Sequence, residues 1–177
     1  MRNIEIKARV DNLEILAARA AALASSGPTE IVQDDTFFPC SAGRLKLRDF
    51  LDGTGELIFY RRANEQGPKE SFYLRSPTRS PESLRESLSL AYGQLGRIKK
   101  HRTLFLVGRT RLHLDNVAKL GTFLELEVVL QNGESPEVGV NEATELMKTL
   151  DISPQQLIGC AYIDLLEKPQ QGANARA

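Results

Sequence analysis

The feature that most limits what this chain can fold into is an alternation of apolar and charged residues with period two, repeated in segment after segment. In residues 3–10, Ile4, Ile6, Ala8 and Val10 fall on one face of an extended strand, and Asn3, Glu5, Lys7 and Arg9 on the other. Arg44, Lys46 and Arg48 oppose Leu45 and Leu47, while Arg111, His113 and Asp115 oppose Leu112 and Leu114. Glu125 and Glu127 oppose Leu124, Leu126 and Val128, and Lys100 and Arg102 share a face with Ile98 and Leu104. A solvated sheet face normally mixes Ser, Thr and Gln among its charges, but here the polar positions are nearly all Arg, Lys, Glu or Asp. Ionic groups this dense on one face predict a closed or cupped sheet, polar on its concave side and covered by helices on its convex side.

Turn formers at Gly43, Gly53, Gly55 and Gly67-Pro68 separate short strands over residues 32–38, 44–50, 57–62 and 71–75. Three more are expected over 97–107, 110–116 and 122–130. Asp11, with Glu14 three positions on, reads as the cap of a helix whose Leu13, Leu16, Ala17, Ala20 and Ala24 recur at helical spacing until Gly27-Pro28. Ser80-Pro81 opens a second helix with a Leu84, Leu88, Ala91, Leu95 stripe, and both stripes are expected in the core. A third helix carries Ala143, Leu146, Met147 and Leu150, and the capping box of Ser153-Pro154-Gln155-Gln156 leads a short one. Strands that outnumber helices and join by short turns indicate an α+β fold. One domain is expected over residues 1–167, with the polar stretch 168–177 a flexible tail.

The charges also exclude function classes. Twenty-three basic and 23 acidic residues leave no net charge, which argues against a nucleic-acid partner or a polybasic membrane anchor. Apolar runs fall far short of the roughly 20 residues of a membrane helix, and the first residues lack an apolar signal region, so a cytoplasmic location is expected. Cys40 and Cys160 have no metal-ligand spacing and read as free thiols.

A concave face of this kind offers two sets of groups to one ligand. Lys7, Arg44, Lys46, Arg48, Lys100, Arg102 and Arg111 suit a polyanion, the arginines gripping phosphate oxygens bidentately. Arg44 also reads equally well as the exposed start of its strand. Glu5, Asp115, Glu125 and Glu127 would repel such an anion unless a divalent cation lay between them. Hard oxygen ligands of this kind suit magnesium, manganese or calcium, and magnesium commonly bridges carboxylates to phosphates. His113 on the same face reads as a structural histidine, and His101 as outward-facing. Tyr60 and Tyr73 read as rim or packing residues, and Asp34 and Asp35 as strand and turn geometry.

Several of these segments, taken in order, resemble the CYTH superfamily, also called triphosphate tunnel metalloenzymes, which includes class IV adenylyl cyclases and thiamine triphosphatases. The carriers are Asn3-Ile4-Glu5-Ile6-Lys7 against a Glu-x-Glu-x-Lys hallmark, Gln33-Asp34-Asp35-Thr36-Phe37-Phe38, and Leu45-Lys46-Leu47-Arg48. Ile98-Lys99-Lys100-His101-Arg102, Arg111-Leu112-His113-Leu114-Asp115, Glu125-Leu126-Glu127 and Tyr162-Ile163-Asp164-Leu165-Leu166 complete the set. The resemblance implies an antiparallel eight-stranded β-tunnel, with helices outside, that holds a triphosphate among basic side chains and Mg2+ or Mn2+ among acidic ones. It assigns the metal to Glu5, Asp115, Glu125 and Glu127, and the phosphates to Lys7, Lys46, Arg48, Arg62, Lys100, Arg102 and Arg111, with Glu5 and Lys7 at the catalytic centre. It implies hydrolysis of an inorganic, thiamine or nucleoside triphosphate, or conversion of ATP to cyclic AMP and pyrophosphate, and is compatible with a homodimer. Asn3 departs from the hallmark by removing one anionic ligand, which adds a non-catalytic polyphosphate binder as a further reading.

Overall fold

The computed structural model describes residues 1–167, so the tail expected at 168–177 lies outside the described residues. Eight strands, β1 (Arg2–Arg9), β2 (Ser26–Phe38), β3 (Arg44–Asp49), β4 (Gly55–Arg62), β5 (Lys69–Thr78), β6 (Gly96–Val107), β7 (Thr110–Val117) and β8 (Gly121–Val129), form one ring. The order around it is β1-β5-β4-β3-β2-β6-β7-β8, and β8 closes back on β1. Every pairing is antiparallel, as expected for strands joined by short turns. Four α-helices, α1 (Leu13–Leu23), α2 (Pro81–Tyr92), α3 (Pro136–Thr149) and α4 (Tyr162–Glu167), and a short 3-10 helix at Pro154–Gln156 led by the expected capping box account for the other regular elements of the described residues.

Burial follows the alternation read from the sequence. Ile4, Ile6 and Ala8 of β1 point outward with Leu112, Leu114, Leu124, Leu126 and Val128, and all are buried under helices. Leu16 and Ala20 of α1, with Ala143 and Met147 of α3, complete this layer. The main core therefore lies between the barrel's outer wall and its helices, and the ionic face points inward. Small residues set how closely the helices approach. A Cβ on Gly139 of α3 would lie 2.6 Å from Ile4 and 2.8 Å from Leu130.

Local signals differ from expectation in three places. Asn12, rather than Asp11, caps α1, its side chain accepting a hydrogen bond from the Ile15 amide. Gly27-Pro28 does not stop α1, which ends at Leu23; it lies inside β2, where a register shift between Ser26 and Thr29 accommodates a stretch that would break a regular ladder. The α2 stripe is not core. Leu84 and Leu88 are half-buried, but Ala91 and Leu95 are exposed, because α2 is held to β2 and β3 by Arg85, which donates to Asp49 at 2.8 Å and Thr36 at 3.1 Å. Leu90 and Tyr92 are exposed at the end of the same helix.

Replacing Gly139 by Ala would improve helix propensity by about 1 kcal/mol but overpack the α3–β1 contact by about 1–3 kcal/mol. We expect the Gly139→Ala protein to unfold at lower denaturant concentration with an unchanged slope. An increased midpoint would show that α3 can shift away from Ile4 at no cost.

Candidate functional site

The ring encloses a cavity of about 260 Å³. Lys7, Lys46, Arg48, Arg62, Arg75, Lys100, Arg102 and Arg111 line it, and Glu5, Asp35, Glu56, Glu125 and Glu127 are its carboxylates, so eight basic groups face five acidic ones, an excess of three positive charges when every one of them is ionised. The strand register brings them together. Lys7 lies opposite Glu125 and Glu5 opposite Glu127 across β1 and β8; His113 and Arg111 flank the same glutamates from β7.

Each glutamate is held by a cation. Glu5 pairs with Arg62. Glu125 pairs with Lys7 at 3.1 Å and with Arg102. Arg111 reaches Glu127 at 2.7 Å and Tyr73 at 3.1 Å. Burial alone would raise the Glu125 carboxyl, but Lys7 and Arg102 outweigh it and hold it well below the ordinary carboxylate range.

Asp35 is the anion that the sequence reading missed. It is 1% exposed and accepts from Lys46 at 2.8 Å, from Arg48 at 2.8 and 2.9 Å, and from Lys100 at 3.4 Å. Burial would raise its carboxyl too, yet Arg48, Lys46 and Lys100 hold it well below its ordinary value. The signal was present, because Gln33, Asp35 and Phe37 alternate onto the inner face; its neighbour Asp34 points outward to Arg97 at 2.7 Å. Lys100 shows the opposite balance: burial pushes its ammonium down to about 7 despite Asp35, with Arg102, Arg48 and Lys46 adding to the effect. Burial likewise pushes His113 down to about 4, so its ring is neutral near pH 7.

Asp115 differs from its expected place, and of the two readings left open for Arg44 the structure has the one outside the tunnel. Asp115 does not line the cavity; it is fully buried, both oxygens accept from Arg102 at 2.6 Å, and the Tyr162 hydroxyl donates to it at 2.9 Å. It orients Arg102 rather than offering a free oxygen. Arg44 also lies outside the cavity lining and donates to Asp164 of α4 at 2.7 Å.

Tyr162, the first residue of α4, reaches into the cavity from one end. The Lys7 ammonium lies 3.7 Å and the Lys100 ammonium 5.4 Å from its ring centre, a cation–π arrangement. Tyr60 and Tyr73 line the wall, as does His113, while His101 faces outward. Among the described residues, several buried polar atoms have no hydrogen-bond partner: Nε and Nη2 of Arg62, Nε of Arg111, Oδ1 of Asn3, Oε1 of Gln33 and Nδ1 of His113 all belong to cavity-lining residues. Unused donors and acceptors that converge on one cavity fit a ligand with both anionic oxygens and a cation. Oxygen donors from Glu5, Glu125, Glu127 and Asn3 suit a divalent ion.

The CYTH domain family matches residues 1–162. The chain belongs to that family. No curated protein matches the sequence. Among solved structures, the PH1012 protein of Pyrococcus horikoshii superposes with a TM-score of 0.82 at 24% identity, covering 92% of this chain and 98% of its own. A Vibrio parahaemolyticus protein named as a candidate adenylate cyclase gives 0.75 at 16%, covering 94% and 98%. An RNA triphosphatase of Schizosaccharomyces pombe gives 0.50 at 10%, covering 88% and 85%. These likenesses establish the tunnel fold. The family is one of divalent-metal-dependent enzymes that bind triphosphates.

Removing the Asp35 charge would leave three buried cations without their shared anion, a loss of about 3–5 kcal/mol by comparison with other broken buried pairs. We expect Asp35→Asn to lower the denaturation midpoint accordingly. Because the Asp35 carboxyl is held below its ordinary value, its contribution in the parent protein is present above pH 3.8 and is lost only as pH falls further, through the depressed value. A variant as stable as the parent would mean that the cations relax into solvent.

Proposed function

We propose that the protein is a divalent-metal-dependent triphosphatase that binds its substrate inside the tunnel. The observation that carries this reading is the charge inventory of the cavity. A triphosphate chain carries about four to five negative charges near neutral pH. Once a bound polyanion draws a proton onto Lys100, the three excess positive charges of the lining and one divalent ion together match that total.

The unused Nε and Nη2 of Arg62 offer phosphate oxygens a bidentate partner and the unused Nε of Arg111 a single donor, and Lys46, Arg48, Lys100 and Arg102 supply further positive charge. Magnesium or manganese held by Glu5, Glu125 and Glu127 would polarise a phosphoryl oxygen and lower the pKa of a bound water. Lys7, packed between Glu125 and the Tyr162 ring, would neutralise charge on the departing phosphate. Water adds to phosphorus as the bridging P–O bond breaks, giving phosphate and a shortened chain. Cys40 and Cys160 are free, in keeping with a cytoplasmic compartment.

One observation favours adenylyl cyclase as the second reading. Ile31, Phe50, Ile58 and Leu104 add an apolar stretch to the lining, which suits an organic group attached to the triphosphate. The Vibrio neighbour points the same way.

Purified protein incubated with magnesium or manganese and with tripolyphosphate, thiamine triphosphate or ATP separates these readings. Phosphate release that falls about a hundredfold or more in the Glu125→Gln/Glu127→Gln protein is the expected result. Cyclic AMP with pyrophosphate would make it a cyclase. Tripolyphosphate binding without turnover would make it a binder, the role that Asn3 suggests.

A second test uses Lys100. Its ammonium is mostly neutral at pH 8, and a bound polyanion would raise its pKa, so binding should take up a proton. Calorimetry in buffers of different ionisation enthalpy is expected to detect uptake at pH 8 that fades towards pH 6 and is lost in Lys100→Met. Identical enthalpies in every buffer would place the polyanion away from Lys100.

A further inference from the structure

His113 is not needed by the mechanism above, yet its position sets it apart from the other wall residues. Its ring is buried, and Nδ1 has no hydrogen-bond partner among the described residues. Nδ1 stands 3.9 Å from Oε1 of Glu127 and 4.0 Å from Oε2 of Glu125. Bonds of about 2.1 Å to a common ion would put two donor atoms roughly 3 to 4.2 Å apart, so these separations lie within the span of one ion. The donor atoms of all three residues lie within 4.8 Å of one another.

An ion bound here would share its carboxylate oxygens with cations already in place. Arg111 occupies Oε2 of Glu127, and among the described residues Oε1 has no hydrogen bond or ion pair other than the approach of His113. Lys7 takes Oε1 of Glu125, and Arg102 shares Oε2. A buried imidazole with an unpartnered nitrogen between two carboxylates would be an expensive choice for a wall residue, since a leucine would fill the space without stranding a polar atom.

We propose that His113 is a nitrogen ligand, with Glu125 and Glu127, of the tunnel's divalent ion, and that the site therefore prefers a first-row transition ion such as manganese or cobalt(II) to magnesium or calcium. Magnesium and calcium take oxygen ligands, whereas imidazole binds the transition ions more strongly. The proposal deepens the metal-dependent reading of the same tunnel and rests on it for the presence of an ion. Asn3 fits the same shift, because it exchanges a hard anionic ligand for a neutral amide oxygen.

The test uses the full chain and the metals alone. Manganese and magnesium are titrated into the parent protein and into His113→Phe, which keeps a planar ring but offers no donor atom, and pulsed electron paramagnetic resonance of the bound manganese reads nitrogen coupling. Expected are manganese affinity about tenfold or more above magnesium, a loss of about tenfold or more for manganese in the variant with magnesium changed less than twofold, and imidazole-nitrogen coupling in the parent. Manganese bound without nitrogen coupling, or with equal affinity in parent and variant, overturns the proposal. If circular dichroism finds the variant unfolded, the parent's nitrogen coupling alone decides. Metal-free tripolyphosphate titrated into the parent tests the triphosphate reading separately, so its failure would leave the result on His113 standing.

Discussion

Lys46, Arg48 and Lys100 share one buried carboxylate, Asp35, and the interior of the barrel depends on that arrangement. Like charges gathered in a space of low dielectric repel strongly, and each has also given up water. Asp35 offsets part of the repulsion on one side of the cavity. Glu125 does the same for Lys7 and Arg102 on the other, and Asp115, out of contact with the cavity, fixes the Arg102 guanidinium from behind. The positive charge that remains is spread around the wall, and it can be satisfied by an anion from outside. Lys100 carries the cost most visibly, with its ammonium pushed down to about 7.

That interior dictates the rest of the architecture. Because ionic side chains fill the inside of the ring, the apolar half of every strand must be buried on the outside, and helices are needed to cover it. Leu16 and Ala20 of α1 and Ala143 and Met147 of α3 do so over β1, β7 and β8. Gly139 and the alanines allow close approach, and ridge-and-groove contact takes the place of a conventional barrel core. Over β2 and β3 the cover is thinner, since α2 is fixed there by Arg85 and leaves much of its apolar surface in water.

The alternation of the strands was legible in the sequence, because a period of two survives any arrangement of neighbours. It gave the inner and outer faces of β1, β3, β6, β7 and β8, and with them Glu5, Lys7, Lys46, Arg48, Lys100, Arg102, Arg111, Glu125 and Glu127 of the lining. What a single strand cannot reveal is its register with the next. Asp35 looked like turn geometry because the residue opposite it, Arg48, is set by the β2–β3 ladder. Asp115 looked like a metal ligand because its partner Arg102 is set by β6 and β7. Tyr162 stood in a segment that matched the family without an assigned task, and only the return of the chain to the barrel's end brings it under Lys7. The α2 stripe failed for another reason: helical periodicity records amphipathicity, and says nothing of whether a surface lies opposite to receive it.

The closure of β1 on β8 bears on how the molecule comes to exist. A strand that begins at Arg2 finds its long partner only at Gly121–Val129, and its other neighbour, β5, only at Lys69–Thr78. Contacts so distant along the chain are slow to form, and a chain made from its N-terminus must hold β1 unpaired on one edge until β8 has been made. Glu5 and Lys7 travel on that strand. The reactive interior therefore has no precursor form: a nascent or truncated chain displays its charges to water as an open ribbon, and acquires a chamber only when first and last strands zip together.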